Sequence, residues 1–266
     1  MPINYSLSLR AQRSNPVFPL KQKLDCRVAT LLAMTMLFPI TTYAADHSAH
    51  SDMAAEHGAG IFHMFRLETD VGSNDDGTPI QSWDLDGWVG TDENKLWLKS
   101  EGERADNKLE SAEFWALYSR NISTFWDAQA GIRYDAKPES TAYLTLGFNG
   151  LAPQWFETEA HLFVSEHGDV TARLRQENDL LLTQQLILQP YIEVNLAAQD
   201  VHEQDIGAGV TDGKIGLQTR YEFTKKFAPY VDVHYGRKFG ETASIARSSG
   251  EDKDEMVGAV GLRLMF

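Results

Sequence analysis

Four of the chain's eight histidines fall between positions 47 and 63. They stand in the stretch Asp46-His47-Ser48-Ala49-His50-Ser51-Asp52-Met53-Ala54-Ala55-Glu56-His57, which continues to His63 and Met64. Imidazole nitrogen suits several transition metals, thioether sulfur selects Cu(I), and carboxylate oxygen assists Cu(II) or zinc. His47, His50, Met53, His57, His63 and Met64 therefore form a donor set able to take copper in either oxidation state. A solvated linker that happens to hold histidines is the competing reading. Concentration of a scarce residue in one short tract favours metal capture, because short His-rich tracts are a metal-binding bias.

Two further donor pairs are Glu159 with His161 and Asp232 with His234. A spacing of two puts both side chains on one face of a β-strand. Catalytic chemistry has less support. There is no nucleophile-elbow motif and no Ser and His pair on neighbouring strands, so the chain reads as a non-enzyme without an organic cofactor. Carboxylate pairs such as Asp84 and Asp86 could exchange protons, but polar lumens commonly carry such pairs.

The elements that must position these groups are strands. From Ile61 onward, alternating segments of about ten residues are separated by turn signals, the pattern of a transmembrane β-barrel. Strands are expected near 61–69, 80–89, 95–102, 109–120, 124–134, 140–149, 155–165, 170–179, 184–197, 206–223, 227–238 and 255–266. That is about twelve, an even number, as a single-chain bacterial barrel requires. The last strand sets Met256, Gly258, Val260, Leu262, Leu264 and Phe266 on one face, with Arg263 on the other. Its terminal aromatic resembles the closing strand of bacterial outer-membrane barrels. Trp83, Trp97, Trp126, Trp155, Tyr134, Tyr230 and Phe227 lie near strand ends and are expected to form interfacial girdles.

With the apolar faces outward, Glu68, Asp84, Asp86, Asp127, Glu157, Glu159, His161, Glu193, Glu222, Asp232 and His234 point inward. Lys99, Arg133, Arg173, Arg175, Arg220 and Arg263 join them. Most should serve as paired charges filling a small lumen; the remainder would make an acidic path for cations.

Targeting signals agree. Lys21, Lys23 and Arg27 precede an apolar run, Val28 to Ile40, and then Thr42-Tyr43-Ala44, the layout of a secretory signal peptide cleaved after Ala44, or after Ala45 as a second choice. The first ~20 residues do not resemble a signal start and read as an upstream extension. Residues 45–60 are then a flexible His/Met-containing periplasmic arm, and 61–266 the barrel of a Gram-negative outer membrane. The only cysteine, Cys26, falls inside the signal, so the mature chain has no disulfide to rely on. Taking the five basic and one acidic residue of positions 1–44 from the chain's 24 and 38 leaves 19 and 37, a formal charge of −18. That argues against nucleic acid as a partner and for cations.

Several stretches resemble the outer-membrane copper-resistance protein B family. They are Trp83-Asp-Leu-Asp-Gly-Trp88, Leu96-Trp-Leu-Lys-Ser-Glu-Gly102, Trp126-Asp-Ala-Gln-Ala-Gly-Ile-Arg-Tyr-Asp135, Gly150-Leu-Ala-Pro153, Leu181-Leu-Thr-Gln184, Leu186-Ile-Leu-Gln-Pro190, Phe227-Ala-Pro-Tyr230 and Gly261-Leu-Arg-Leu264. The resemblance covers 61–266 in order. It implies a copper-binding barrel that contributes to copper resistance and homeostasis beside a periplasmic multicopper oxidase. Many members carry long Met- and His-rich repeats before the barrel; this arm is short and offers only Met53 and Met64. Gln154 and Gln185 also depart from the expected aromatic and Arg. The alternative is a general small-solute porin with an incidental His-rich leader.

Overall fold

In the computed structural model, which describes residues 60–201, 204–250 and 252–266, sequence neighbours occupy opposite environments. Leu144 is 66% exposed and Thr145 1%; Val260 is 57% exposed and Ala259 7%. Alternation of this kind marks one sheet whose two faces meet different surroundings. Here the apolar side chains take the open outer face and the charged ones the enclosed inner face. A soluble sandwich does the reverse.

The strands are β1 (Phe62–Asn74), β2 (Pro79–Gly90), β3 (Asn94–Ala105), β4 (Lys108–Ser123), β5 (Trp126–Lys137), β6 (Thr141–Ala152), β7 (Phe156–Ser165), β8 (Val170–Glu177), β9 (Leu180–Leu181), β10 (Leu186–Ala197), β11 (Gly209–Tyr221), β12 (Phe227–Lys238) and β13 (Asp254–Met265). Segments β8 and β9 share one stave, since both pair with β10, so the thirteen segments make twelve staves. All pairings are antiparallel, and β13 returns to pair with β1. The sheet is thus a closed twelve-stranded barrel with every backbone edge paired, as lipid demands. At the seam Arg66 lies opposite Met265 and Asn74 opposite Val257, and the Phe266 amide donates to the Phe65 carbonyl at 2.9 Å.

Local chemistry accounts for the irregularities. The break between β8 and β9 falls opposite Pro190, which has no N–H to give to the ladder; its carbonyl still accepts from the Asn178 amide at 3.2 Å. The β3–β4 connection is a two-residue turn, Asp106-Asn107, with φ of 47° and 62°. Positive φ at both positions is what a type I′ hairpin needs, and Asp and Asn tolerate it well. Several aromatic rings lie flat across glycines of the next strand. A Cβ on Gly216 would sit 2.3 Å from the Tyr191 ring, one on Gly261 2.4 Å from Tyr230, and one on Gly147 2.3 Å from His161.

The long connections, 198–208 and 239–253, emerge at the same rim. Within the second lies a helix, α1 (Gly240–Ser249), which ends at Gly250 in the left-handed region (φ 82°). The expected strands leave 239–254 without an element, so this helix is an addition to them. The first strand, expected to end near 69, continues to Asn74. The expected signal peptide and residues 45–59 of the expected arm lie outside the described residues.

Candidate functional site

Most charged residues expected to point inward are ion-paired there, with Glu157 exposed at the rim, and further partners join them. Lys99 is the centre of one group. Its ammonium donates to both oxygens of Glu159 at 2.7 Å and stands 3.8 Å from Asp86. Asn149 donates to the same Glu159 at 3.1 Å. Glu113 is the centre of a second group, accepting from Arg133 at 2.9 Å, from Arg173 at 3.0 Å and from the Trp115 indole at 3.2 Å. In a third, Arg263 meets Glu68 at 2.5 Å and donates to Gln189 and Gln218 at 2.9 and 3.0 Å. Arg175 bridges Asp84, Glu101 and Glu193 at 3.4–3.6 Å. Arg220 bonds Asp179 and Gln189. Charges withdrawn from water are tolerable when paired, and each of these cations has a carboxylate partner.

One side of the lumen is filled by Trp97, Trp115, Leu117, Tyr143 and Phe163. The Arg133 guanidinium lies 5.4, 5.0 and 4.7 Å from the Trp115, Tyr143 and Phe163 rings, a cation held by aromatic faces. Trp97 and Tyr230, expected in the girdles, therefore lie inside instead. Trp97 belongs to this internal packing, and Tyr230 turns inward to donate to Asp70 at 2.8 Å. Tyr230 has the same strand parity as Asp232 and His234, a signal that was available in the sequence. Phe227, Tyr134 and Trp155 are exposed on the outside, as a girdle requires.

Beside the aromatic packing a cavity of about 270 Å³ is lined by charged residues, among them Glu68, Asp70, Asp84, Glu101, Glu193, Asp232 and His234. Of its lining, Arg66, Glu101 and Glu113 add to the inward residues expected from the sequence. Each lies two positions from another inward residue or from the lumen-facing Trp115, so strict alternation would have found them.

The predicted metal donors divide. His47, His50, Met53 and His57 lie outside the described residues. His63 and Met64 belong to β1 rather than the arm, and as strand neighbours they point to opposite faces: Met64 shares the inward parity of Arg66 and Glu68, His63 the outward. They cannot grip one ion together. Of the lumen pairs, His161 gives its Nε2 to a 2.8 Å bond with Gln129 and packs edge-on to Trp115, while Glu159 is occupied by Lys99. His234 and Asp232 do converge, with Nδ1 2.7 Å from Oδ2. Among the described residues, no three of His, Cys, Asp and Glu gather as a metal-holding group.

Comparisons with known proteins fit this barrel. A family model described as Copper resistance protein B precursor (CopB) matches residues 60–266. Copper resistance protein B of Escherichia coli is 39% identical over 213 residues, 80% of this chain and 72% of the relative. The Copper resistance protein B homolog of Pseudomonas syringae pv. tomato is 38% identical over 224 residues, 84% and 76% of the two chains. The barrel is also similar in fold to a solved NanC porin (TM-score 0.53, 12% identity, 74% of this chain and 98% of that one). A KdgM porin gives a TM-score of 0.50 at 12% identity, covering 76% and 99%. Matched over all its strands by the family model and over most of its length by both relatives, the chain belongs to the copper resistance protein B family, which supports a role in copper resistance and, with its porin-like barrel, a place in the outer membrane.

Proposed function

We propose that this protein binds copper ions at its N-terminal arm and offers them a route through an acidic barrel, the arm lying in the periplasm beside a multicopper oxidase of the same resistance system. The observation that carries the reading is the lumen itself, a charged cavity in which carboxylates outnumber the cations paired to them. A low-dielectric channel with excess negative charge attracts cations and repels anions. A store would need three or four converging ligands, and a route needs only weak successive stops. The arm supplies the softer and more numerous donors. Nothing in this chemistry points to turnover of a substrate, so the protein is read as a non-enzyme.

The test is metal analysis of the refolded protein with and without residues 45–60, together with copper tolerance of cells carrying each form. Replacing His47, His50, Met53 and His57 with Ala should remove most of the bound copper and lower tolerance. Unchanged stoichiometry and affinity would remove the arm from the proposal. Conductance and tolerance indifferent to copper in the intact protein would favour a general small-solute porin.

A further inference from the structure

Among the described residues two histidines face the lumen, His161 and His234, and their ring nitrogens are used differently. His161 commits Nε2 to Gln129 and is enclosed between Trp115 and Phe163. His234 commits Nδ1 instead, to Asp232 Oδ2 at 2.7 Å, and lines the cavity. An ionised carboxylate can only accept, so Nδ1 carries the proton in that bond. In the neutral ring Nε2 is then the atom with the free lone pair. Metal-bound histidines commonly have this arrangement, with a carboxylate fixing the tautomer through the other nitrogen and raising the basicity of the ligand atom.

A second observation is independent of the histidine. Asp232 is 7% exposed, and its Oδ1 is buried with no hydrogen-bond partner among the described residues. Buried carboxylate oxygens elsewhere in this lumen are mostly held by Arg or Lys, while Asp232 receives only His234 and the Tyr191 hydroxyl, the latter at 3.2 Å. A buried, unsatisfied anionic oxygen is expensive unless a cation or water meets it. Tyr191 is itself held in place, because its ring lies across Gly216, the residue directly opposite His234 on β11. Asp232, His234 and Tyr191 thus all line the same cavity, with the carboxylate and the phenol joined on the Nδ1 side of the imidazole.

The geometry points to a lumen stop for a divalent transition-metal ion, with His234 Nε2 as the ligand and Asp232 and Tyr191 as the groups that orient and charge it. The assignment rests on the copper-route reading and specifies one place on the route. Imidazole and carboxylate favour Cu(II) over Cu(I), for which thioether sulfur is the better donor. With one protein nitrogen the site releases its ion readily, as conduction requires.

The experiment uses the full chain with His47, His50, Met53 and His57 replaced by Ala, so that the arm does not mask the lumen. Cu(II) added to this refolded protein should give an electron paramagnetic resonance spectrum with nitrogen coupling from one imidazole. His234→Gln should abolish that signal, and Asp232→Asn should weaken the affinity about 10–100-fold. Heat-modifiable migration on gels confirms that each variant retains its barrel. A folded H234Q protein with unchanged spectrum and affinity overturns the assignment, and so does a D232N protein that binds as before. Absence of copper from the protein with its arm intact instead overturns the copper-route reading on which the assignment rests.

Discussion

Replacing Lys99 with Met is expected to lower the stability of the barrel by about 3–5 kcal/mol, the usual effect of removing one member of a buried ion pair. The Lys99 side chain is almost wholly enclosed, and its charge faces both Glu159 oxygens and Asp86. Met fills a similar volume and can keep the contacts with the Trp97 and Trp115 rings, which lie 5.7 and 6.0 Å from the ammonium. The loss therefore isolates the charge. Without it Glu159 keeps, among the described residues, only the Asn149 amide as a hydrogen-bond donor, and Asp86, whose Oδ1 already lacks a partner, keeps only Arg66 at 3.5 Å. Adding Glu159→Gln should recover part of the loss, since the double variant removes the stranded anion. Urea unfolding of the refolded protein, followed by tryptophan fluorescence, measures both. A single-variant loss below about 1 kcal/mol would mean that water reaches this group and screens it.

Gly147→Ala is the second large effect, about 1–3 kcal/mol of destabilisation from forced overpacking. The added methyl would stand 2.3 Å from the His161 ring and 2.5 Å from the Ala160 carbonyl oxygen. Neither can retreat. The carbonyl belongs to the β6–β7 ladder, and the ring is fixed by Gln129, Trp115 and Phe163. Gly258→Ala is the matched control, because nothing lies within 4 Å of its missing Cβ. It should leave stability unchanged or raise it by about 0.5–1 kcal/mol through lost backbone freedom in the unfolded chain. The same unfolding curves report both variants, and equal behaviour of the two would refute the packing argument.

Much of the architecture could be read from alternation alone, because a barrel wall one residue thick makes each position either lipid-facing or lumen-facing. Glu159 and His161, expected to point inward, are enclosed, while Leu162 and Val164 beside them on the same strand are exposed. Aromatics were harder. Trp97 and Trp155 have the same chemistry, yet one packs inside and the other is exposed, because half of this lumen is itself filled with rings. Composition cannot separate a girdle from such packing; strand parity can. The helix α1 was missed because a ten-residue segment with few apolar positions gives little periodic signal; its one strong mark is the terminating Gly250. For the site, pairs two residues apart showed which groups share a face, but not that Lys99 occupies Glu159 or that His161 turns its Nε2 to Gln129. Those depend on strands distant in sequence, and sequence spacing says nothing of them.

The seam between β1 and β13 also bears on assembly. Every other neighbouring pair of staves is consecutive along the chain and can zip from its own turn. The seam alone joins the two ends of the barrel, so until it forms the protein is a ribbon with two raw edges, each a row of unpaired amides and carbonyls. The entropy of closing so long a loop grows only logarithmically, by about 0.6 kcal/mol per doubling. The obstacle is therefore one of time, since non-local pairing is slow and leaves the edges open to other chains meanwhile. The nine residue pairs from Arg66–Met265 to Asn74–Val257 turn that ribbon into a ring, and that event ends its vulnerability to strand exchange.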